Sequence, residues 1–111
     1  MVKMEVAPFI KDGRTFVPVR YVAESFGAQV IWNGTERKVT LIHKKFIELW
    51  IGNPQATVDG TAIYIDPTNT SVMPFIMEGR TLLPLRFVSE AFGAIVNWDS
   101  ITKKVTIEYK N

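Results

Sequence analysis

The sequence contains no cysteine and a single histidine in its 111 residues. Without cysteine the chain cannot form a disulfide, a thiolate metal site or a thiol nucleophile. A copper or zinc centre needs several nitrogen or sulfur ligands that converge at about 2 Å, and His43 is the only imidazole present. We therefore expect no metal cofactor, and we interpret His43 as a surface strand residue beside Lys44 and Lys45. Thioether ligation of copper(I) is equally unexpected. Met1 and Met4 lie at an end of the chain that we expect to fray, and core or surface packing explains Met73 and Met77 better.

The sequence also lacks an excess of one charge and a long apolar run. Lys and Arg number 13 against 11 Asp and Glu, and the positive charges are scattered, whereas nucleic-acid binding needs a clustered basic face. The apolar runs are far shorter than the roughly 18 residues that span a bilayer, and the opening "MVKMEVAPF" has no signal-peptide core. We expect no nucleic-acid partner and no membrane insertion. With 47% apolar residues, a chain of this length can bury a hydrophobic core.

The chain repeats itself at an offset of 66 residues. Residues 9–45 (the first copy) align without a gap to residues 75–111 (the second copy), with 18 identities in 37 positions. The passage "GRTFVPVRYVAESFGA" returns as "GRTLLPLRFVSEAFGA". A fixed period of this kind indicates one supersecondary unit that is used more than once.

Each copy predicts a hairpin, a short helix and a second hairpin. Asp12 and Gly13 suit a two-residue turn, and Glu78 with Gly79 makes a poorer version of it. Helices of about nine residues are predicted to begin at the prolines at 18 and 84 and to end at the glycines at 27 and 93. Their apolar stripes recur at i, i+3, i+4 and i+7, at Val19, Val22, Ala23 and Phe26 and at Leu85, Val88, Ser89 and Phe92.

Strands are predicted on both sides of further turns. "AQVIW" and "KVTLI" flank "NGTE", and "AIVNW" and "KVTIE" flank "DSIT". Between the copies, "KFIELWIGN" and a hairpin at Asp59 and Gly60 precede a polar loop, "PTNTSVMP". The fold class that follows is α+β, with antiparallel sheets curled over two short helices. We divide the chain into a first, shorter unit at 1–43 and a fuller unit at 44–111, together one compact module; strand exchange in a homodimer could complete the first unit.

The motifs "DGRTFVPVRYVAESFGAQVIWN" and "EGRTLLPLRFVSEAFGAIVNWD", each followed by "KVTL" or "KVTI", resemble the copper amine oxidase N-terminal domain-like family. With "IELWIGN" and "VDGTAIYID" the resemblance covers nearly the whole chain. It implies a non-catalytic stalk or accessory module, extracellular or in the cell wall of Gram-positive bacteria, whose partners are other domains of the parent protein or wall components. It implies no copper site, because the family's three-histidine centre and modified tyrosine lie in another domain.

The paired charges of the two helices have a catalytic and a structural interpretation. Glu24 and Glu90 could act as a carboxylate pair on a glycosidic bond. Each, however, follows an arginine by four residues, Arg20 or Arg86, a spacing that brings the side chains together on one helix. We favour the structural interpretation. An arginine in the first helical turn opposes the helix dipole, so we expect Arg20 and Arg86 to reach back to the hairpins and hold helix to sheet.

The tryptophans could serve either as core residues or as a ligand platform. Trp32 and Trp98 are predicted to pack inside, because burial of an indole stabilises a small domain. Trp50 and Tyr64 are the candidates for an accessible, ligand-binding surface. The repeated residues that we assign a structural role are Gly13, Arg14, Pro18, Arg20, Glu24, Gly27, Trp32, Gly79, Arg80, Pro84, Arg86, Glu90, Gly93 and Trp98.

The sequence thus favours a non-catalytic structural or interaction module. A module that binds cell-wall polysaccharide or peptidoglycan through aromatic residues is the alternative. No catalytic residue and no cofactor are assigned.

Overall fold

The computed structural model describes residues 2–6, 9–99, 101–102 and 104–109. These residues form helices α1 (Val19–Phe26) and α2 (Leu85–Ala91) and twelve strands. The strands are β1 (Val2–Val6), β2 (Phe9–Lys11), β3 (Arg14–Pro18), β4 (Gln29–Asn33), β5 (Lys38–Ile42), β6 (Phe46–Trp50), β7 (Gln55–Val58), β8 (Thr61–Tyr64), β9 (Phe75–Met77), β10 (Arg80–Pro84), β11 (Ile95–Asp99) and β12 (Lys104–Tyr109).

All strand pairing in this part of the chain is antiparallel. The strands form a five-stranded sheet in the order β4-β5-β6-β7-β8, a four-stranded sheet β2-β3-β10-β9 and a three-stranded sheet β1-β12-β11. The predicted α+β class is therefore confirmed. Both copies contain two strands, a helix and two further strands in the same order.

The pairing of β3 with β10 has local two-fold symmetry. Val17 lies opposite Leu83, while Phe16 pairs with Pro84 and Pro18 with Leu82. Since these positions are related by the 66-residue offset, exchanging the two copies reproduces the same register. Phe26 and Phe92, also equivalent, contact each other with ring centroids 5.2 Å apart. The copies meet as the subunits of an isologous dimer do.

One hydrophobic core runs through both copies. Val17, Val22, Leu83, Leu85 and Val88 are fully buried, and they join the inward side chains of the five-stranded sheet. The position predicted to divide the chain, residue 43, falls in the turn between β5 and β6, which pair along their whole length. The terminal strand β1 pairs with β12 of the same chain; the strand-exchanged homodimer stays a prediction.

The two prolines precede the helices instead of opening them, which corrects the prediction by one residue. Pro18 has φ −60° and ψ 144°, and Pro84 has φ −68° and ψ 112°. A proline ring fixes only φ, at a value that helix and strand share. The β3–β10 pairing holds both prolines in extended conformation, so they end the strands and cap the helices.

The predicted turn geometry is confirmed at the glycines. Asp12–Gly13, Asp59–Gly60 and Glu78–Gly79 all have positive φ at both residues, the requirement of a type I′ hairpin. Gly27 ends α1 in the left-handed conformation with φ 66°. Neither α1 nor α2 is long and apolar enough to cross a membrane.

Candidate functional site

Two clefts lie where the hairpin turn of one copy meets the helix start of the other. The first cleft, about 540 Å³, is lined by residues 13–15 and 84–87 together with the loop after β8 and Glu90. The second cleft, about 400 Å³, is lined by residues 79–81 and 18–21. Every residue of these four segments has its equivalent 66 positions away in the other cleft. The local two-fold of the β3–β10 pair therefore generates both.

The first cleft is closed on one side by residues 65–72, a loop that docks on the β2–β3 hairpin. Arg14 Nε donates a hydrogen bond to Asp66 Oδ2, and Arg14 Nη2 donates to Thr68 Oγ1 at 3.3 Å. Asn69 Nδ2 donates to the carbonyl of Asp12 at 3.0 Å. The buried Val72 anchors the far end of the loop in the core. A carboxylate and a hydroxyl thus bind Arg14, which lies in the hairpin of the first copy.

The loop presents its carboxylate in a compact turn. Asp66 Oδ1 accepts hydrogen bonds from the Thr68 amide at 3.0 Å and from Thr68 Oγ1 at 2.7 Å, an Asx turn. The hydrogen bond from Arg14, followed by that from Thr68, lowers the pKa of Asp66 below 3.8. Asp66 therefore stays ionised at any neutral pH and pairs with Arg14 as an anion.

The expectation that Arg20 and Arg86 bind the hairpins is wrong. Arg86 Nη1 lies 3.8 Å from Glu90 Oε2 on the same helix, and both side chains are about two-thirds exposed, at 67% and 63%. Arg20 and Glu24 are exposed as well. The β3–β10 pairing and the buried helical face already join helix to sheet, so these arginines are left at the rims of the clefts. The arginine that joins separate elements is Arg14.

The lining of the second cleft, unlike that of the first, carries a net positive charge. Arg20 and Arg80 both line it, with Tyr21 between them, and no lining residue is acidic. Neither arginine makes an ion pair or hydrogen bond to any residue that the structure describes. In the first cleft, by contrast, Arg14 and Arg86 each contact a carboxylate.

The outer face of the five-stranded sheet carries the two predicted ligand-binding residues. Trp50 pairs with Lys38 across β5 and β6, and Tyr64 pairs with Gln55 across β7 and β8. Because Leu49 points into the core, alternation places Trp50 on the outer face. Tyr64 is 47% exposed and Trp50 is half-buried. Lys38 Nζ lies 5.8 Å from the centre of the indole ring.

Beside this aromatic pair is a polar network that the sequence did not reveal. Glu48 accepts hydrogen bonds from Thr57 Oγ1 at 2.8 Å and from Lys38 Nζ at 3.0 Å. These bonds, that from Thr57 first, lower the pKa of Glu48, and Glu48 in turn raises the pKa of Lys38. The network holds Lys38 over the Trp50 ring. Strand alternation could have placed Lys38, Glu48 and Thr57 each on a face of its strand, but the register between the strands could not be read from the sequence.

Trp32 contradicts the prediction that it packs inside. Its side chain is 48% exposed, because β4 is an edge strand of the five-stranded sheet and no neighbouring strand covers its outer side. The side chain of Trp98 lies outside the described residues, so its predicted packing stays a prediction.

His43 is exposed, as predicted, but lies in the turn after β5 instead of within a strand. Its ring contacts the edge of Phe92, with centroids 6.1 Å apart. Met77 packs against the core, and Met73 is half-buried in the loop before β9. Met1 and the side chain of Met4 lie outside the described residues. Within the part of the chain that the structure describes, no three His, Asp or Glu residues converge as metal ligands.

Asp66 is a residue of the first cleft whose role sequence reasoning missed. The signal was local, since Asp66, Pro67 and Thr68 form a typical Asx-turn sequence. The sequence did not show that this turn, which precedes the second copy, docks on Arg14 of the first copy.

Residues 1–107 match the family model described as the copper amine oxidase N-terminal domain. No curated protein matches the chain significantly.

Proposed function

The chain belongs to the copper amine oxidase N-terminal domain family, and we propose from this that it is a non-catalytic structural and interaction module. It serves as a stalk or accessory domain of a secreted or cell-wall protein, and its partners are other domains of that protein or wall components. The observation that carries the proposal is the isologous pairing of β3 with β10. It joins two copies of one cassette through their cores into a single unit, as a spacer between other domains requires.

The repeated residues of the motif support a structural role. The turn glycines and the two prolines set the backbone at the junctions of strand and helix. Glu24 and Glu90, the carboxylates that could act together on a glycosidic bond, lie on separate helices, and Glu90 contacts Arg86.

The location is tested with an antibody against this chain on intact cells of the source organism. Surface labelling that disappears after brief protease treatment of intact cells is expected. Labelling only after lysis would contradict an extracellular module. A known cytoplasmic protein, detected in the same cells, controls for leakage.

A second candidate function, the binding of wall glycans, is favoured by the outer face of the five-stranded sheet. Trp50 lies on β6 and Tyr64 on β8, two strand spacings or roughly 10 Å apart. Aromatic rings at this separation, with the polar side chain of Gln55 between them, can stack against successive sugars while the amide accepts and donates hydrogen bonds.

Tryptophan fluorescence titrated with purified peptidoglycan fragments and wall polysaccharides tests this candidate. A saturable change that is lost in Tyr64→Ala, which keeps all three tryptophans, would support it. Trp32→Ala is the control, because Trp32 is 48% exposed, close to the 47% of Tyr64, and lies on the opposite edge strand of the sheet. Absence of any saturable change across the glycans would reject the candidate and leave the structural module.

A further inference from the structure

The second cleft, lined by residues 79–81 and 18–21, offers to solvent two arginines that have no partner among the residues that the structure describes. Arg80 comes from the β9–β10 hairpin and Arg20 from the first turn of α1. Both side chains are exposed, and neither has an ion pair or hydrogen bond within the described residues. Glu24, four residues after Arg20, is exposed and does not line the cleft.

The first cleft shows what fills an equivalent position. There Arg14, which corresponds to Arg80, binds the carboxylate of Asp66, and the Thr68 hydroxyl accepts a further hydrogen bond from the guanidinium. The side chain of Asp66 is only 18% exposed in this contact. Arg86, which corresponds to Arg20, contacts Glu90. Both arginines of the first cleft therefore contact carboxylates, whereas neither arginine of the second cleft does so within the described part of the chain.

The residues around Arg80 are equivalent to those around Arg14. Gly79 repeats the positive φ of Gly13, at 74° against 72°, so the turn that carries Arg80 has the backbone shape of the turn that carries Arg14. Thr81 repeats Thr15, and Tyr21 stands where the first cleft has Phe87. Equivalent backbone and equivalent side chains present an equivalent docking surface, and the acidic loop covers one of the two.

We propose that the second cleft binds an acidic peptide segment. Arg80 binds a carboxylate of the peptide as Arg14 binds that of Asp66, and Arg20 supplies a second positive charge within the cleft. Tyr21, which is 39% exposed, packs against the residue that follows the carboxylate. A guanidinium fork pairs with a carboxylate through charge-assisted hydrogen bonds, and a cleft of about 400 Å³ accommodates a short peptide turn. The proposal does not depend on where the module is displayed.

The chain supplies its own probe. A fluorescein-labelled peptide with the sequence of residues 64–72, "YIDPTNTSV", contains the Asx turn that fills the first cleft. Fluorescence anisotropy with the intact protein is expected to show saturable binding that weakens as salt is added, because the contact is ionic and near the surface. The same peptide with Asp66→Asn should bind roughly 10- to 100-fold more weakly, the worth of a hydrogen bond to a charged group.

Variants of the protein then locate the site. Arg80→Gln and Arg20→Gln are each expected to weaken binding, Arg80→Gln by roughly tenfold or more. Arg86→Gln and Arg14→Gln are the matched controls, since they make the same change in charge at the equivalent positions of the first cleft. They should leave the affinity unchanged. Thermal unfolding verifies that each variant folds. If Arg80→Gln does not fold, Arg80→Lys replaces it, because lysine keeps the positive charge but lacks the forked donors of the guanidinium.

Four results would overturn the proposal. The first is no saturable binding of the peptide. The second is equal binding of the peptides with Asp and with Asn, which would mean that the carboxylate is not recognised. The third is a loss of affinity in Arg14→Gln or Arg86→Gln that equals the loss in Arg80→Gln. Inorganic phosphate that competes as strongly as the peptide, mole for mole, would also reject a peptide site in favour of general anion binding.

Discussion

At the scale of single residues, Ser89 is buried without a hydrogen-bond partner among the residues that the structure describes. Its side chain is fully buried in α2, and its Oγ has no partner in the described part of the structure. The equivalent residue of the first copy is Ala23. A buried hydroxyl that loses its water without gaining a partner costs free energy, so the second copy carries a polar atom that the first copy does without.

We therefore predict that Ser89→Ala raises the free energy of unfolding by about 1 kcal/mol. The control is Ser25→Ala in α1, which is also buried but does have an interaction partner. Both substitutions share the gain in helix propensity of up to about 0.5 kcal/mol. Urea unfolding of both variants isolates the contribution of the unpaired Ser89 hydroxyl. An equal change in the free energy of unfolding of the two variants would contradict the explanation.

Residue roles that depend on backbone conformation could be predicted, whereas roles that depend on neighbours could not. The glycines at 13, 27, 60 and 79 were recognised because positive φ is a local requirement. Arg20 and Arg14 carry the same charge in the same motif, yet one lines an open cleft and the other binds Asp66. Nothing in the spacing of the motif distinguishes them, because the difference comes from a loop more than 50 residues away.

At the scale of elements, three hairpins use the same backbone turn with different residues. Asp12, Asp59 and Glu78 have φ of 53°, 51° and 52°, each followed by glycine. Aspartate and asparagine tolerate this left-handed conformation because their short side chains hydrogen-bond locally, whereas a longer side chain pays the steric cost in full. The β9–β10 hairpin is therefore the least favourable of the three.

Glu78→Asn should stabilise the protein by about 0.5 to 1 kcal/mol, part of the left-handed penalty for an ordinary residue. In the other copy, Asp12→Glu replaces a residue that tolerates the left-handed conformation by one that does not, and it should destabilise the protein by a similar amount. Thermal unfolding at pH 7 measures both. If Glu78→Asn left the stability unchanged, the turn conformation would not be what limits this hairpin.

The loop at residues 65–72 is tied to the β2–β3 hairpin by one charged pair, which gives it a pH dependence. The pKa of Asp66 is lowered below 3.8 by Arg14 and Thr68. A lowered pKa in the folded state means that the ionised form stabilises the fold above about pH 4, and that this contribution is lost as the pH falls through the lowered pKa.

Asp66→Asn should therefore lower the Tm at pH 7, and its deficit relative to the wild type should shrink as the pH falls below 3.8. Arg14→Gln should also lower the Tm at pH 7, with a deficit that shrinks as the pH falls, although Thr68 still lowers the pKa of Asp66 in this variant. Arg80→Gln is the control, since Arg80 contacts no carboxylate among the described residues, and its Tm should stay near that of the wild type. A deficit that is constant from pH 7 to pH 2.5 would contradict the ion pair.

Apart from β1, which the sequence analysis did not predict, element types and order were predictable because turns, alternation and helical stripes are local. The helix starts were misplaced by one residue, and the reason is tertiary: Pro18 and Pro84 are held extended by the strands opposite them. Trp32 was misplaced for the same kind of reason, since an edge position is a property of the whole sheet.

At the scale of the whole molecule, the two copies are joined through their centre. Val17 and Leu83 face each other at the local two-fold, and both are fully buried. Phe26 and Phe92 meet at the same symmetric junction. A chain whose copies share a core in this way should unfold as one unit, although its sequence reads as two.

Leu83→Ala should cost about 2 to 5 kcal/mol, the loss for a buried leucine whose cavity does not collapse. Because the core is shared, tryptophan fluorescence and far-UV circular dichroism should still report one coincident transition. Ile101→Ala is the control, since Ile101 is 90% exposed and a surface change stays within about 0.5 kcal/mol. If the two probes separated in Leu83→Ala, with one remaining at the wild-type midpoint, the copies would be independent folding units and the β3–β10 junction would be only a contact between them.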